Sequence, residues 1–208
     1  MLTPYLQTLP KHYRSLEKSS ILIIGNGPSA TDSDHGKLID SFDQIIRINN
    51  YVTEGLEEQI GSRTDVWVNG ANQGLVKRKD TPDNILVMIP PAVLEHKGDA
   101  IHDRIRRRLG TEQYFMLPID IMEQMEQECS IDRPTTGFFT VYFFYLLGLD
   151  VTVHGFDFFV ETTSHYFDSP LKRWLKDKGF IRKAGKHNVQ GEKTFIEDLI
   201  RTKKIKQL

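Results

Sequence analysis

Cysteine is nearly absent from the sequence, and this scarcity limits the chemistry open to the chain. Cys129 is its single thiol, which excludes an internal disulfide and any metal site built from four thiolates. Because disulfides persist in oxidising compartments, a chain without one fits a reducing compartment. The segment Met1–Pro10 has no basic start followed by an apolar run, so it does not resemble a signal peptide. We therefore expect a cytoplasmic protein.

Long apolar runs and an excess of either charge are also absent. No stretch approaches the ~18 uninterrupted apolar residues of a membrane span, so we expect no transmembrane segment. The 27 Lys and Arg residues nearly balance the 28 Asp and Glu residues, and the formal net charge is -1. Since dedicated nucleic-acid-binding proteins usually carry a clear positive excess, we expect no nucleic-acid partner.

Two short basic clusters stand out against this balance. Arginines 104, 106, 107 and 108 fall at the end of a predicted helix, where positive charge stabilises the helix dipole. The segment Arg201–Lys206 fits a solvated helix end, and a peripheral contact with an anionic membrane is the alternative. No pattern in the sequence indicates an oligomeric state.

What the sequence does contain is an alternation of short apolar runs with longer amphipathic stretches. Hydrophobic residues make up 39% of the 208 residues, which is enough for the core of one globular domain. The predicted strands are Ile21–Gly25, Gln44–Ile48, Asp65–Val68, Asn84–Ile89, Tyr114–Leu117 and Val151–His154. The predicted helices are His35–Phe42, Leu56–Ile60, Ala92–Leu109, Ile119–Cys129, Thr136–Leu147, Pro170–Lys178 and Val189–Lys204. This alternation predicts an α/β fold: a single Rossmann-like domain with a mostly parallel sheet and helices on both faces.

A glycine-rich turn follows the first predicted strand. The run Gly25–Ala30 fits the pattern G-x-G-x-x-A, in which backbone N–H groups approach a bound ligand closely. A dinucleotide site of this kind also needs an acidic residue about 20 positions later to hold a ribose hydroxyl. The second strand ends instead in Arg47–Asn50. Asn49 and Asn50 suit a base or sugar edge but do not replace the carboxylate, which disfavours a dinucleotide.

Three further segments contain hydroxyl or imidazole side chains that suit binding or catalysis. Pro134–Gly137 opens an apolar stretch and is either a phosphate or carboxylate cradle or a simple N-cap. His165–Asp168 and His187–Glu192 carry imidazoles that titrate near neutrality, so they suit proton transfer and phosphate binding. Asp32–Asp34 fits an exposed turn or cap better than a metal site.

Together these residues resemble a known family, the CMP-sialic-acid-dependent sialyltransferases. The stretch from Ile24 to Thr64 is similar to the long sialylmotif of the animal-type branch, and Pro134–Phe156 is similar to the short sialylmotif. His165–Asp168 resembles the third motif, and His187 with Glu192 fits the very short His-x4-Glu motif. The four motifs occur in the family's order.

Other details resemble the bacterial lipooligosaccharide sialyltransferases. These details are Gly25–Ser29, Val66–Asn69 and Gly155–Phe159. The cysteine pair of the animal-type sialylmotifs is missing here, which favours a bacterial-type enzyme without the disulfide.

The resemblance implies a GT-A-like variant of the α/β fold and an inverting transfer of sialic acid from CMP-sialic acid to a hydroxyl of an acceptor glycan. It divides the chain into an N-terminal helical extension (1–19), a nucleotide-binding core (20–160) and a lid and catalytic-histidine segment (161–208). It implies no cofactor and no metal, because the leaving group carries a single phosphate.

The resemblance also assigns roles to individual residues. His187 is the expected base, and Glu192 supports the structure around it. His165 and Tyr166 are expected to donate to the CMP phosphate. The remaining expected binding residues are Asn26, Gly27, Asn49 and Asn69 for the nucleotide, and Thr135, Thr136 and Gly137 for the ribose or the donor carboxylate. Three alternatives stay open: a transferase for another CMP-linked keto acid such as Kdo, an NAD-dependent enzyme, and a nucleotide-binding module without turnover.

Overall fold

A seven-stranded sheet, parallel throughout its pairings, forms the centre of the molecule. The structure is a computed structural model that describes residues 8–16, 18–131, 133–157, 164–169 and 188–208. The strands are β1 (Ser20–Ile24), β2 (Gln44–Ile48), β3 (Val66–Asn69), β4 (Asn84–Val87), β5 (Phe115–Met116), β6 (Asp150–His154) and β7 (Lys206–Gln207). Their order across the sheet is β5-β4-β3-β2-β1-β6-β7. The predicted α/β class and parallel sheet are confirmed.

The first helix precedes β1, and the others lie between strands in the chain. They are α1 (Lys11–Arg14), α2 (Gly36–Ile39), α3 (Glu57–Ile60), α4 (Pro91–Lys97), α5 (Ala100–Leu109), α6 (Ile119–Cys129), α7 (Thr136–Leu146) and α8 (Val189–Arg201). A short 3-10 helix, Pro28–Thr31, follows β1. In the described part of the chain, no helix has both the length and the apolar character needed to cross a membrane.

Alternate residues of the central strands pack against opposite faces of the sheet. In β1, Ile21 and Ile23 belong to the cluster that contains α6, α7 and α8, whereas Leu22 and Ile24 pack with residues of α2 and α3. Trp67 of β3 lies in a third cluster with residues of α4 and α5. Because both faces are covered, the strands are apolar along most of their length.

The structure differs from the predicted elements in two places. The predicted helix Ala92–Leu109 is two helices in the structure. Gly98 ends α4 with a φ of 50°, and α5 begins at Ala100. Strand β7 was not predicted, since its two residues are polar and exposed. The N-terminal extension packs against the rest of the domain, since Leu9, Tyr13 and Leu16 are buried in the main core. The predicted helix Pro170–Lys178 lies outside the described residues.

Candidate functional site

A cavity of about 350 Å³ opens at the carboxyl ends of the central strands. The loops after β1, β2, β3 and β6 line it, together with the start of α7, part of the 164–169 segment and one residue of α8. The sheet order changes direction here, since β1 pairs with β2 on one side and with β6 on the other. Ligands of open α/β sheets bind at such a switch point.

The cavity brings together residues that are far apart in the sequence. Most of the expected site residues line it: Asn26, Gly27, Asn49, Thr135, Thr136, Gly137, His165 and Glu192. Asn50, Asn72 and Asp157 also line it. The cavity is therefore polar at several points and contains both hydrogen-bond donors and carboxylates.

The glycine turn after β1 lies against the loop after β6. The Gly25 backbone N–H donates to the His154 carbonyl at 2.7 Å, and the Gly27 N–H donates to the Gly155 carbonyl at 2.9 Å. Gly155 has a φ of 68°, in the left-handed region that favours glycine. A Cβ atom at Gly25 would overlap the Gly155 carbonyl. Both glycines are thus needed for the close approach of the two loops.

Asp157 is a cavity residue to which the sequence interpretation gave no role. Its carboxylate accepts hydrogen bonds from the backbone N–H of Ser29, at 3.1 Å, and from the Ser29 hydroxyl. A Cβ atom at Gly27 would overlap this carboxylate. The position of Asp157 directly after a parallel strand was the available signal, because such positions lie at the ligand edge of the sheet.

Two asparagines fix the turn after β1 and the loop after β2. The Asn26 Nδ2 donates to the Ile48 carbonyl at 2.8 Å. Asn49 has a φ of 52°, a conformation that asparagine tolerates better than most residues. Its backbone N–H donates to the Val68 carbonyl at 2.8 Å, and its carbonyl accepts from the Trp67 indole at 2.7 Å. The backbone of Asn49 is therefore fixed by β3, and its side-chain Oδ1 accepts from the Gly70 N–H at 3.3 Å.

The start of α7 is capped from two directions. The Thr135 hydroxyl accepts from the Phe138 N–H at 3.2 Å and donates to the Glu192 carboxylate at 2.7 Å. The other oxygen of Glu192 accepts from the Thr135 N–H at 2.8 Å. The Thr135 hydroxyl thus has both an acceptor and a donor partner within the protein. The N–H groups and positive dipole end of α7 at Thr136 and Gly137 are the features suited to an anionic ligand.

His165 lies in a turn that its own neighbours close. Its backbone N–H donates to the Asp168 carboxylate at 2.8 Å, and the Asp168 N–H donates to the His165 carbonyl at 3.0 Å. The imidazole stacks on Phe167, with ring centroids 5.2 Å apart. Both rings line the cavity.

The structure places two expected binding residues away from the cavity lining. Asn69 is fully buried, and its Oδ1 accepts from the Ala71 N–H at 3.1 Å. Tyr166 is buried, and its hydroxyl is hydrogen-bonded to the backbone of Val52. Neither side chain is in the cavity lining, because each is turned into the protein, where it holds a loop.

The remaining expected site residue, His187, lies outside the described residues. The helix that follows it, α8, is capped by Asn188, whose side chain accepts from the Gly191 N–H at 3.0 Å.

The carboxylate of Asp34 accepts from the Gln59 side chain at 3.2 Å, as an exposed turn residue does. Among the residues that the structure describes, no group of three or more His, Cys, Asp or Glu side chains is arranged to hold a metal ion.

Comparison with known proteins gives consistent matches. The model of glycosyltransferase family 29 (sialyltransferase) matches residues 3–204. The CMP-N-acetylneuraminate-beta-galactosamide-alpha-2,3-sialyltransferase 4 of Rattus norvegicus is 22% identical over 97% of this chain and 67% of its own length. The type 2 lactosamine alpha-2,3-sialyltransferase of Mus musculus is 22% identical over 88% of this chain and 63% of its own length. The chain thus spans about two thirds of the length of these relatives.

Solved structures from both an animal and a bacterium share the fold. A mammalian sialyltransferase in complex with Gal-beta-1-3GalNAc-ortho-nitrophenol has a TM-score of 0.67 and 18% identity, covering 100% of this chain and 77% of its own. The sialyltransferase CstII from Campylobacter jejuni, in complex with the substrate analogue CMP-3FNeuAc, has a TM-score of 0.55 and 20% identity. The match covers 91% of this chain and 80% of the CstII chain. Because the family model spans nearly the whole sequence, the chain belongs to glycosyltransferase family 29, the sialyltransferase family.

Proposed function

We propose that the cavity binds CMP-sialic acid and that the protein transfers the sialic acid, with inversion, to a hydroxyl of an acceptor glycan. One observation carries this proposal: residues from four separate motifs line the same cavity. Gly27 and Asn49 come from the first motif, Thr136 from the second, His165 from the third and Glu192 from the fourth. Chance similarity in one motif would not bring the other three to the same place.

The bond changes of the transfer define what the residues must do. The acceptor oxygen forms a bond to the anomeric carbon of sialic acid, and the bond from that carbon to the phosphate oxygen breaks. CMP departs with the electron pair, and the acceptor hydroxyl loses its proton. The protein must therefore stabilise a growing negative charge on the phosphate and provide a base for the proton.

The described residues suit the first of these tasks. The start of α7 presents backbone N–H groups at Thr136 and Gly137, where a helix N-terminus favours negative charge. The imidazole of His165 lines the same cavity and is the proposed donor to the CMP phosphate. Asn26 and Asn49, on the loops after β1 and β2, are the proposed partners of the nucleoside.

His187 is the proposed base, and the sequence supports this role. It lies five positions before Glu192, and Glu192 lines the cavity. Histidine takes up a proton near neutral pH, as an inverting transfer to a hydroxyl requires. We further propose that the transfer is independent of metal, since the monophosphate leaving group carries less charge than a diphosphate. The single cysteine supports a cytoplasmic location.

A donor comparison tests the proposal. The protein is incubated with CMP-sialic acid or CMP-Kdo, each with and without acceptor, and release of CMP is followed together with the mass of the glycan product. The names of the relatives direct the choice of first acceptors to β-galactosides and type 2 lactosamine. We expect acceptor-dependent CMP release from CMP-sialic acid and a product heavier by one sialic acid. Transfer from CMP-Kdo alone would replace the proposed donor, and CMP binding without turnover of either donor would indicate a non-catalytic module.

A further inference from the structure

A buried tyrosine joins the His165 turn to two loops of the nucleotide cavity. The Tyr166 hydroxyl donates to the Val52 carbonyl at 2.9 Å and is within 3.0 Å of the Val52 N–H, which donates to it. The Tyr166 backbone N–H donates to the Asn26 carbonyl at 3.1 Å. Val52 follows β2 and Asn26 follows β1, so one residue connects the turn to both loops.

The surroundings of the tyrosine keep its hydroxyl protonated and its ring in place. Tyr166 is 6% exposed, and this burial raises the pKa of its phenol. The hydroxyl is therefore a hydrogen-bond donor throughout the working pH range. Its ring meets Phe167 edge to face, with centroids 5.1 Å apart, and Phe167 in turn stacks on the His165 imidazole. The three adjacent side chains form a continuous path from Val52 to the cavity.

We propose that Tyr166 is a positioning residue that sets the His165 imidazole against the phosphate of bound CMP. The inference rests on the proposed function, because it takes the phosphate as the partner of His165. Asn26 and Val52 belong to the loops that contain the proposed nucleoside partners. Through its bonds to these loops, Tyr166 fixes His165 relative to the nucleotide as well as to the sheet. The hydrogen bonds to Val52 are the contacts that a single-atom change at Tyr166 removes.

The proposal separates the phosphate from the rest of the nucleotide. Removal of the hydroxyl leaves the ring and its packing against Phe167, but it loses both bonds to Val52. The turn then holds His165 less accurately, so contact with the phosphate weakens while contact with the cytidine moiety stays. A general loosening of the protein would weaken the binding of cytidine and of CMP alike.

The experiment measures the affinities for CMP and for cytidine by titration calorimetry in four proteins: the parent, Tyr166→Phe, His165→Ala and the double variant. Tyr51→Phe is the matched control, because Tyr51 is buried near the same loop and its hydroxyl makes no hydrogen bond in the described part of the chain. We expect Tyr166→Phe to weaken CMP binding about 5- to 30-fold in the parent, which is within the range found for residues coupled in one network. In the His165→Ala background, Tyr166→Phe should change the CMP affinity less than about twofold.

Each outcome decides between the possible roles. An equal loss for cytidine and CMP, or an additive effect in the double variant, would overturn the positioning role. If His165→Ala itself leaves the ratio of the two affinities unchanged, the proposed function is wrong about His165. If His165→Ala changes that ratio and Tyr166→Phe does not, only the positioning role is lost. Asp168→Ala, which removes the side-chain acceptor of the His165 N–H, is a second variant in which we expect the same phosphate-specific loss.

Discussion

The carboxylate of Glu192 accepts two hydrogen bonds from Thr135, one from its backbone N–H at 2.8 Å and one from its hydroxyl at 2.7 Å. The two residues belong to different motifs and lie 57 positions apart in the sequence. Through this pair, α8 is connected to the N-terminus of α7, where the proposed phosphate site begins. The carboxylate is buried, so both bonds form away from the competition of water.

Replacement of Glu192 should therefore lower the free energy of unfolding. Glu192→Gln keeps the length of the side chain but has one carbonyl oxygen for two donors. Hydrogen bonds to charged groups contribute about 1.5–3 kcal/mol each, and we expect a loss in that range at pH 7. Urea denaturation measures it. The control is Glu197→Gln on the same helix, where an exposed ion pair with Lys193 should contribute less than about 1 kcal/mol. Equal losses of unfolding free energy in the two variants would show that the contact with Thr135 contributes no more to stability than the ion pair of Glu197.

Gly27→Ala tests the close packing beneath the cavity. The added Cβ atom would overlap the Asp157 carboxylate, so Asp157 and Ser29 must separate. We expect CMP affinity to fall more than about tenfold, since the loops after β1 and β6 both line the site. Gly74 also lines the cavity, but in Gly74→Ala the nearest neighbour of the new atom lies at an ordinary 3.5 Å, so CMP affinity should fall less than in Gly27→Ala. Isothermal titration measures both, and similar affinities of the two variants would contradict the packing argument.

Much of the fold was predictable because local sequence determines it. β1 to β4 and β6 are apolar runs of the type that doubly covered parallel strands require, and their positions were predicted from that pattern. β7 was missed because Lys206 and Gln207 are polar residues at the edge of the sheet. The break between α4 and α5 was missed because Gly98 can continue or end a helix, and only its positive φ decides between them.

The site was predictable only in part, because sequence order does not show which way a side chain points. Thr135, His165 and Glu192 were placed correctly at the cavity by their motifs. Tyr166 belongs to the same motif as His165 but points to Val52, which follows another strand. Asp157 received no role because its partner, Ser29, is 128 positions away in the sequence. Both features depend on contacts that form only when the sheet is assembled.

His154 should make the protein less stable in mild acid. It is buried beside β1, its Nε2 is 3.0 Å from the Ala30 carbonyl, and burial lowers its pKa below the ordinary value of 6.5. The unfolded chain therefore binds the proton more readily, so the free energy of unfolding decreases as the pH falls below about 6.5. Urea titrations at pH 7.5 and 5.5 should show a smaller difference for His154→Gln than for the parent, whereas the exposed His96→Gln should keep the parent's difference. An unchanged difference in His154→Gln would exclude this source of acid sensitivity.

Activity should survive a strong chelator. The monophosphate leaving group has proposed partners in His165 and in the N–H groups at the start of α7, so charge neutralisation does not require a divalent ion. The measurement compares initial rates of CMP release before and after treatment with EDTA and dialysis. Loss of activity that magnesium or manganese restores would contradict this, and Asp32→Asn and Asp34→Asn would then be the first variants to test.

His187 provides the sharpest test of the proposed chemistry, because binding and proton removal can be measured separately. In the proposed mechanism the base acts on the acceptor rather than on the nucleotide, so His187→Ala should keep CMP affinity within about tenfold of the parent. Its turnover should fall by roughly 10²–10⁴, the usual contribution of a positioned general base. His165→Ala should behave differently and lose both CMP affinity and turnover, since the proposed partner of His165 is the phosphate. The parent's rate should also decrease on the acid side with a midpoint of about 6–7, where a histidine base becomes protonated. Steady-state kinetics and CMP titrations on the two variants separate the roles, and near-normal turnover in His187→Ala would show that another group takes the proton.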